Sequence, residues 1–152
     1  MTELIGRFAT VQDAATLAPL NAQLIRDEGH DNPMSVAELE QRMSSWLSGG
    51  YTAVLFEIGS KIAGYALFRR EPEHVYLRQL FVVSSLRRRG VGRAALAWLW
   101  ANAWPRAARL RIDVLLNNTA AQSFWRAVGF KDYCVVMEMG RPGGPSGSPF
   151  DE

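Results

Sequence analysis

The sequence has a single cysteine, Cys134, among its 152 residues, so no disulfide can close within the chain. It also has no long apolar run. The longest, Ala94 to Ala101, is eight residues, against the roughly 20 that a membrane-spanning helix needs. Its first seven residues carry no apolar export signal, and with the lone cysteine this predicts a cytoplasmic protein with no membrane association. Net charge is low as well. Seventeen basic and 15 acidic residues leave +2, too little to imply binding to nucleic acid by charge alone. No group of His, Cys, Asp or Glu has metal-ligand spacing, so no metal is expected. What the sequence does have is apolar content: 48%, with 11% aromatic and 21% charged, the balance of a folded domain rather than a disordered chain. A chain of this length is expected to build one core.

Hydrophobic periodicity divides the chain into ten elements. Leu4 to Ala9 reads as a strand. From Asp13 to Glu28, Leu17, Leu20 and Leu24 recur at helical spacing. Gly29 to Pro33 breaks that helix, and Ser35 with Glu38 is the capping-box signature of a second one carrying Val36, Leu39, Met43 and Trp46. Three strand-like runs follow (51–58, 62–70 and 75–83), and their short connections predict an antiparallel meander. A helix over 90–103, a strand over 110–116, a helix over 119–128 and a strand over 130–139 complete the chain. Cys134 reads as a small core residue of that last strand. The order is β-α-α-β-β-β-α-β-α-β, a mixed α/β fold with a largely antiparallel central sheet flanked by helices. Residues 1–141 form one domain, and the Pro/Gly/Ser-rich tail 142–152 is expected to be disordered.

Chemistry concentrates where the 75–83 strand ends. Four arginines, Arg87, Arg88, Arg89 and Arg93, fall within seven residues and are interleaved with Gly90, Val91 and Gly92 at the start of a helix. Backbone N–H groups at a helix start lack intrahelical partners and converge on one spot, so the turn is suited to an anion such as a diphosphate. Glycines there let the backbone come close. Three readings compete: a solvated basic turn, a dinucleotide fingerprint Gly90-x-Gly92-x-x-Ala95, and R-x-x-G-x-G over Arg87, Gly90 and Gly92. Against the fingerprint, several residues separate the strand from its first glycine, and Asp113 sits in mid-strand.

With Asn118-x-x-Ala121-x-x-Phe124-Trp125-x-x-x-Gly129-Phe130, the chain resembles the GNAT superfamily of N-acetyltransferases over about residues 4–140. That family binds acetyl-CoA through Q/R-x-x-G-x-G/A, and its element order is the one derived above. The resemblance implies that amides of Arg88 to Arg93 cradle the CoA diphosphate. It implies that the backbone of Leu80, Phe81 and Val82 pairs with pantetheine as an added strand, and that Asn118 contacts pantetheine between two splayed strands. The implied reaction is direct transfer of acetyl to an amine in a ternary complex, the acceptor being a small molecule or a peptide and nucleic acid no partner. Oligomeric state stays open, a homodimer included.

One departure stands out. Where many relatives have a tyrosine that protonates the departing thiolate, this chain has Trp125, whose indole N–H cannot act as an acid. Trp125 then packs in the core or walls the acceptor site, and Tyr133, Tyr76 or water takes over the proton, unless the thiolate leaves unaided. The same gap motivates the alternative of a non-catalytic acyl-CoA-binding or regulatory domain. An acceptor amine must lose a proton before it attacks. Glu28, His30, Asp31 and His74 are candidate bases, Glu28 foremost, and His30 beside it in the break between the first two helices is also a candidate acceptor contact. Arg78 bears on the acceptor too. Polyamine acetyltransferases, which look similar around Tyr76-Leu77, have an acidic residue there. Alternation along the strand leaves open whether Arg78 faces the cleft; if it does, an acceptor with a carboxylate or phosphate is favoured.

Overall fold

The computed structural model describes residues 3–29 and 32–143. His30, Asp31 and most of the tail expected to be disordered, residues 144–152, lie outside the described residues. The elements are β1 (Leu4–Phe8), α1 (Ala14–Asp27), α2 (Val36–Ser48), β2 (Tyr51–Ile58), β3 (Lys61–Arg70), β4 (Val75–Val82), α3 (Val91–Asn102), β5 (Leu110–Arg111) and α4 (Thr119–Ala127). The strands form one sheet in chain order, antiparallel from β1 to β4, with β5 parallel to β4. Four helices flank it. The expected mixed α/β fold with a largely antiparallel sheet is observed.

The local signals hold for local reasons. Ser35 Oγ accepts from the Glu38 amide at 3.2 Å and Glu38 accepts from the Ser35 amide at 2.9 Å, closing the predicted box at the start of α2. Gly59 and Ser60 alone connect β2 to β3, and Gly59 takes the positive φ such a turn needs. Strands β2 and β3 are apolar on both sides because the sheet is covered on both. Val54, Phe56 and Phe68 pack with Leu96 and Leu99 of α3 on one face, whereas Leu55, Tyr65 and Leu67 pack with Leu17 of α1 and Met43 of α2 on the other. The result is three layers.

Two expectations on the C-terminal side are corrected. The strand over 110–116 shrinks to Leu110–Arg111, and Phe130–Met139 forms no strand. A strand exists only through a ladder to a neighbour. Here β5 pairs with β4 at two positions, Val75 with Leu110 and Tyr76 with Arg111, and residues beyond them carry no ladder. The two-residue β5 offers too short an edge for a further strand to pair with. Side chains hold the segment instead: Asp132 pairs with Arg126, and the Tyr133 hydroxyl accepts from Arg111 at 3.2 Å. Cys134 is therefore exposed rather than in the core.

At the other end, Asp13 ties β1 to α1. Its carboxylate takes two hydrogen bonds from Arg7, at 3.0 and 3.2 Å, and one from the Thr10 amide at 2.7 Å. These contacts, the Arg7 hydrogen bonds foremost, hold the Asp13 carboxyl below its ordinary pKa. Because the folded-state value lies below the unfolded one, the stabilisation is complete above the ordinary carboxylate range and is lost as pH falls through the folded value. Asp13→Ala should cost about 1 kcal/mol at neutral pH. In urea unfolding at a series of pH values, the gap from wild type should close as the acid is titrated.

Candidate active site

The site is built on an irregularity in β4. Its register against β3 runs from Val75 opposite Arg70 to Leu77 opposite Phe68, then resumes with Gln79 opposite Leu67. Arg78 is the extra residue of a β-bulge. The bulge exchanges the two faces. Before it, Val75 and Leu77 join the core under α3, and after it Leu80 packs there while Phe81 turns to the α1/α2 side. Arg78 and Gln79 consequently face the same way, both into a cleft of about 230 Å³ that Tyr76 also lines. Alternation could not settle where Arg78 points. The bulge does.

Past the bulge, the outer edge of β4 loses β5. Val83 donates to Ala63 on the β3 side, so Leu80 and Val82 present their backbone groups to the open edge. Strand β4 thus runs from the cleft along three residues of uncovered edge into the arginine-glycine turn. In that turn Arg88 and Gly90 both have positive φ, 62° and 78°. Among the described residues, the amides of Arg88, Arg89 and Gly90 donate to no backbone or side-chain acceptor. The amides that follow open α3 and lack intrahelical partners. This concave run of N–H groups fits a phosphate-bearing ligand.

Two arginines of the turn are committed elsewhere. Arg87 donates to the Val82 carbonyl at 2.9 Å and to Asp27 at 2.5 Å, tying the turn to the end of α1. Arg93 reaches the Ala127 carbonyl at the end of α4. Gly92 has a packing role as well, since a Cβ there would lie 3.0 Å from the Phe124 ring.

The cleft gathers residues from distant parts of the chain: Glu28 at the end of α1, Arg42 of α2, Asp113 beyond β5, and Asn118 and Trp125 of α4. Asn118 caps α4, its Oδ1 accepting from the Ala121 amide at 3.1 Å. Trp125 packs against the α3-side core and also lines the cleft. Tyr76 donates to Asp113 at 2.8 Å, and its burial, with this bond, raises the pKa of its hydroxyl well above the ordinary phenol value. Tyr133 is outside the cleft lining and 69% exposed. Beneath the floor, the buried Tyr65 hydroxyl donates to Gln79 at 2.7 Å and Arg42 donates to the buried Asn21 at 3.2 Å. Arg42 and Asp113 were not candidates from sequence. The capping-box helix spacing that fixed Leu39 and Met43 as core also fixes Arg42 near that face, and this was the available signal.

No metal-binding group of three or more side chains occurs among the described residues, and none of their helices is long and apolar enough to cross a membrane.

Strand β4 therefore joins a mixed-charge cleft, an open edge and a run of unpaired amides. The model of the acetyltransferase (GNAT) family matches residues 21–130, and the chain belongs to that family. No curated protein compared with it matches. Among solved structures it is similar to an aminoglycoside N-acetyltransferase, AAC(6')-Iy, in complex with CoA, at 17% identity and TM-score 0.73 over 93% of this chain and 96% of that one. It is also similar to a possible acetyltransferase from Clostridium difficile 630, at 16% identity and TM-score 0.74 over 91% and 97%. A predicted acetyltransferase from Clostridium acetobutylicum, solved with acetyl-CoA, shares 17% identity and TM-score 0.72 over 90% and 96%. At such identities the likeness is one of fold.

Proposed function

We propose that this protein transfers an acetyl group from acetyl-CoA to the amino group of a small molecule or peptide, by direct attack in a ternary complex. The observation that carries this reading is the continuity of nest, open β4 edge and cleft along one strand. Acetyl-CoA supplies an activated acyl thioester. The amides of Arg88 to Arg93 hold its diphosphate, with the Arg88 and Arg89 side chains adding charge. Leu80 and Val82 hydrogen-bond the pantetheine arm along the open edge, Phe81 buries its ring beneath it, and an amide of this edge polarises the thioester carbonyl. Asn118 meets the arm from the far side of the split.

The acceptor enters between the end of α1 and Trp125. Glu28, directly or through one water, takes the proton that an amine must lose. Trp125 walls the cleft and gives no proton. Of the two tyrosines considered for the leaving thiolate, Tyr76 is the one in the cleft, and its proton is directed at Asp113. The thiolate therefore leaves unaided or takes a proton from water.

A thermal-shift series tests the first half. Saturating acetyl-CoA should raise the wild-type Tm by about 5–10 °C, the size expected at roughly 100 times Kd for a domain of this length. Gly90→Val puts a β-branched residue at positive φ and should abolish the shift. A shift that survives the substitution sinks the assignment of the nest, and NAD in place of acetyl-CoA tests the dinucleotide alternative. Free CoA release over a panel of amines tests the second half: acetyl-CoA bound, with no amine accelerating release, is the signature of a non-catalytic acyl-CoA-binding domain.

A further inference from the structure

We propose that the acceptor carries an anionic group, a carboxylate or a phosphate, beside its reactive amine, and that Arg78 binds it. The proposal rests on the acetyl-transfer reading above and names the substrate class of the same cleft.

The bulge is the first support. In a regular strand Arg78 and Gln79 would face opposite sides of the sheet, and the extra residue costs ladder pairing in order to bring both into the cleft. The second is the way Arg78 is mounted. Its guanidinium lies over the Trp46 ring, 4.8 Å from the centroid, and donates to the Tyr51 hydroxyl at 3.3 Å. Aromatic contact holds the head group in place and uses few of its five N–H donors. Among the described residues Arg7, Arg69, Arg87 and Arg126 form ion pairs with carboxylates, but Arg78 pairs with none.

The third support is a second cation. The Arg42 guanidinium lies over the same Trp46 ring at 4.4 Å and lines the same cleft. Burial chiefly, and then the charge of Arg78, disfavours its protonated form. The two guanidiniums on one ring bring two cations to this wall of the cleft. Such a pair is suited to bind a carboxylate or phosphate, whose oxygens match the guanidinium fork. Glu28 and Asp113 also line the cleft and suit the amine end of the acceptor. A polycationic acceptor would meet the arginines as like charges.

The test uses the full chain, acetyl-CoA and free CoA release, with matched pairs of acceptors. Common amino acids are compared with their decarboxylated amines, phosphoethanolamine with ethanolamine, and spermidine and neamine serve as polycations. At least one anionic amine should exceed its uncharged counterpart in kcat/KM by about 10–100-fold, the worth of a charged hydrogen bond. The pair in which this occurs tells carboxylate from phosphate. Arg78→Gln should collapse that ratio toward one by raising KM, Arg78→Lys should keep part of it, and Arg78→Glu should move the preference toward spermidine. The acetyl-CoA thermal shift of each variant shows that it is folded. Equal rates for charged and uncharged counterparts, or a ratio that survives Arg78→Gln, overturn the proposal. Acetyl-CoA binding without release to any amine overturns the transfer reading itself and this proposal with it, an outcome distinct from equal release to all.

Discussion

Glu28→Gln should lower turnover by about 10²–10⁴-fold with the acetyl-CoA thermal shift intact, the range lost when a positioned base is removed. Glutamine keeps the shape of the side chain and loses only the ability to accept the amine's proton. Glu28 is the residue just after α1, at the end where the helix dipole is negative and where helix stability would favour a cation. It nevertheless shares the cleft with Asn118, Trp125 and Tyr76. The other carboxylate there, Asp113, already accepts from Tyr76. A base acting on the amine produces an acid limb in the pH profile of kcat/KM, and the variant should flatten it. Wild-type turnover with an unchanged acid limb would reduce Glu28 to a helix-end charge.

The largest stability effect is expected at Gly64. A Cβ built there falls 1.9 Å from the Phe81 carbonyl oxygen and 2.9 Å from its carbonyl carbon. These are backbone atoms of the neighbouring strand and cannot swing aside as a side chain can. Gly64→Ala must push β3 and β4 apart, at a cost of at least about 3 kcal/mol, or a Tm loss on the order of 6–12 °C. Because Gly64 pairs with Val82, the displacement also disturbs the edge assigned to pantetheine. The acetyl-CoA shift of whatever folded protein remains should be reduced. Calorimetry with and without acetyl-CoA reads both effects, and a Tm within a degree or so of wild type would rule out the close approach.

Features that depend on nearby residues were legible in the sequence. The Ser35–Glu38 box, the Gly59-Ser60 turn, the pair Leu39 and Met43 on one face of α2, and the Gly90 turn at the start of α3 all involve residues within a few positions of one another. Their geometry follows from backbone sterics, capping and the 3.6-residue period. The family motifs are local in the same sense, which is why their residues could be numbered from the sequence.

Only the tertiary structure decided the rest. The direction of Arg78 depends on a bulge, and a bulge exists only in the register between two strands, here Leu67 with Gln79 and Phe68 with Leu77. The apolar pattern of 130–139 suits a strand, but a strand also needs an edge to join, and two ladder positions on β5 do not supply one. The meeting of Arg42 with Arg78 over Trp46, and of Tyr76 with Asp113, brings together residues 36 and 37 positions apart. Period and propensity determine which side of its own element a residue occupies. Which elements face each other, and in what register, is decided by the packing of the whole core, and that is where the cleft of this acetyltransferase-family protein is made.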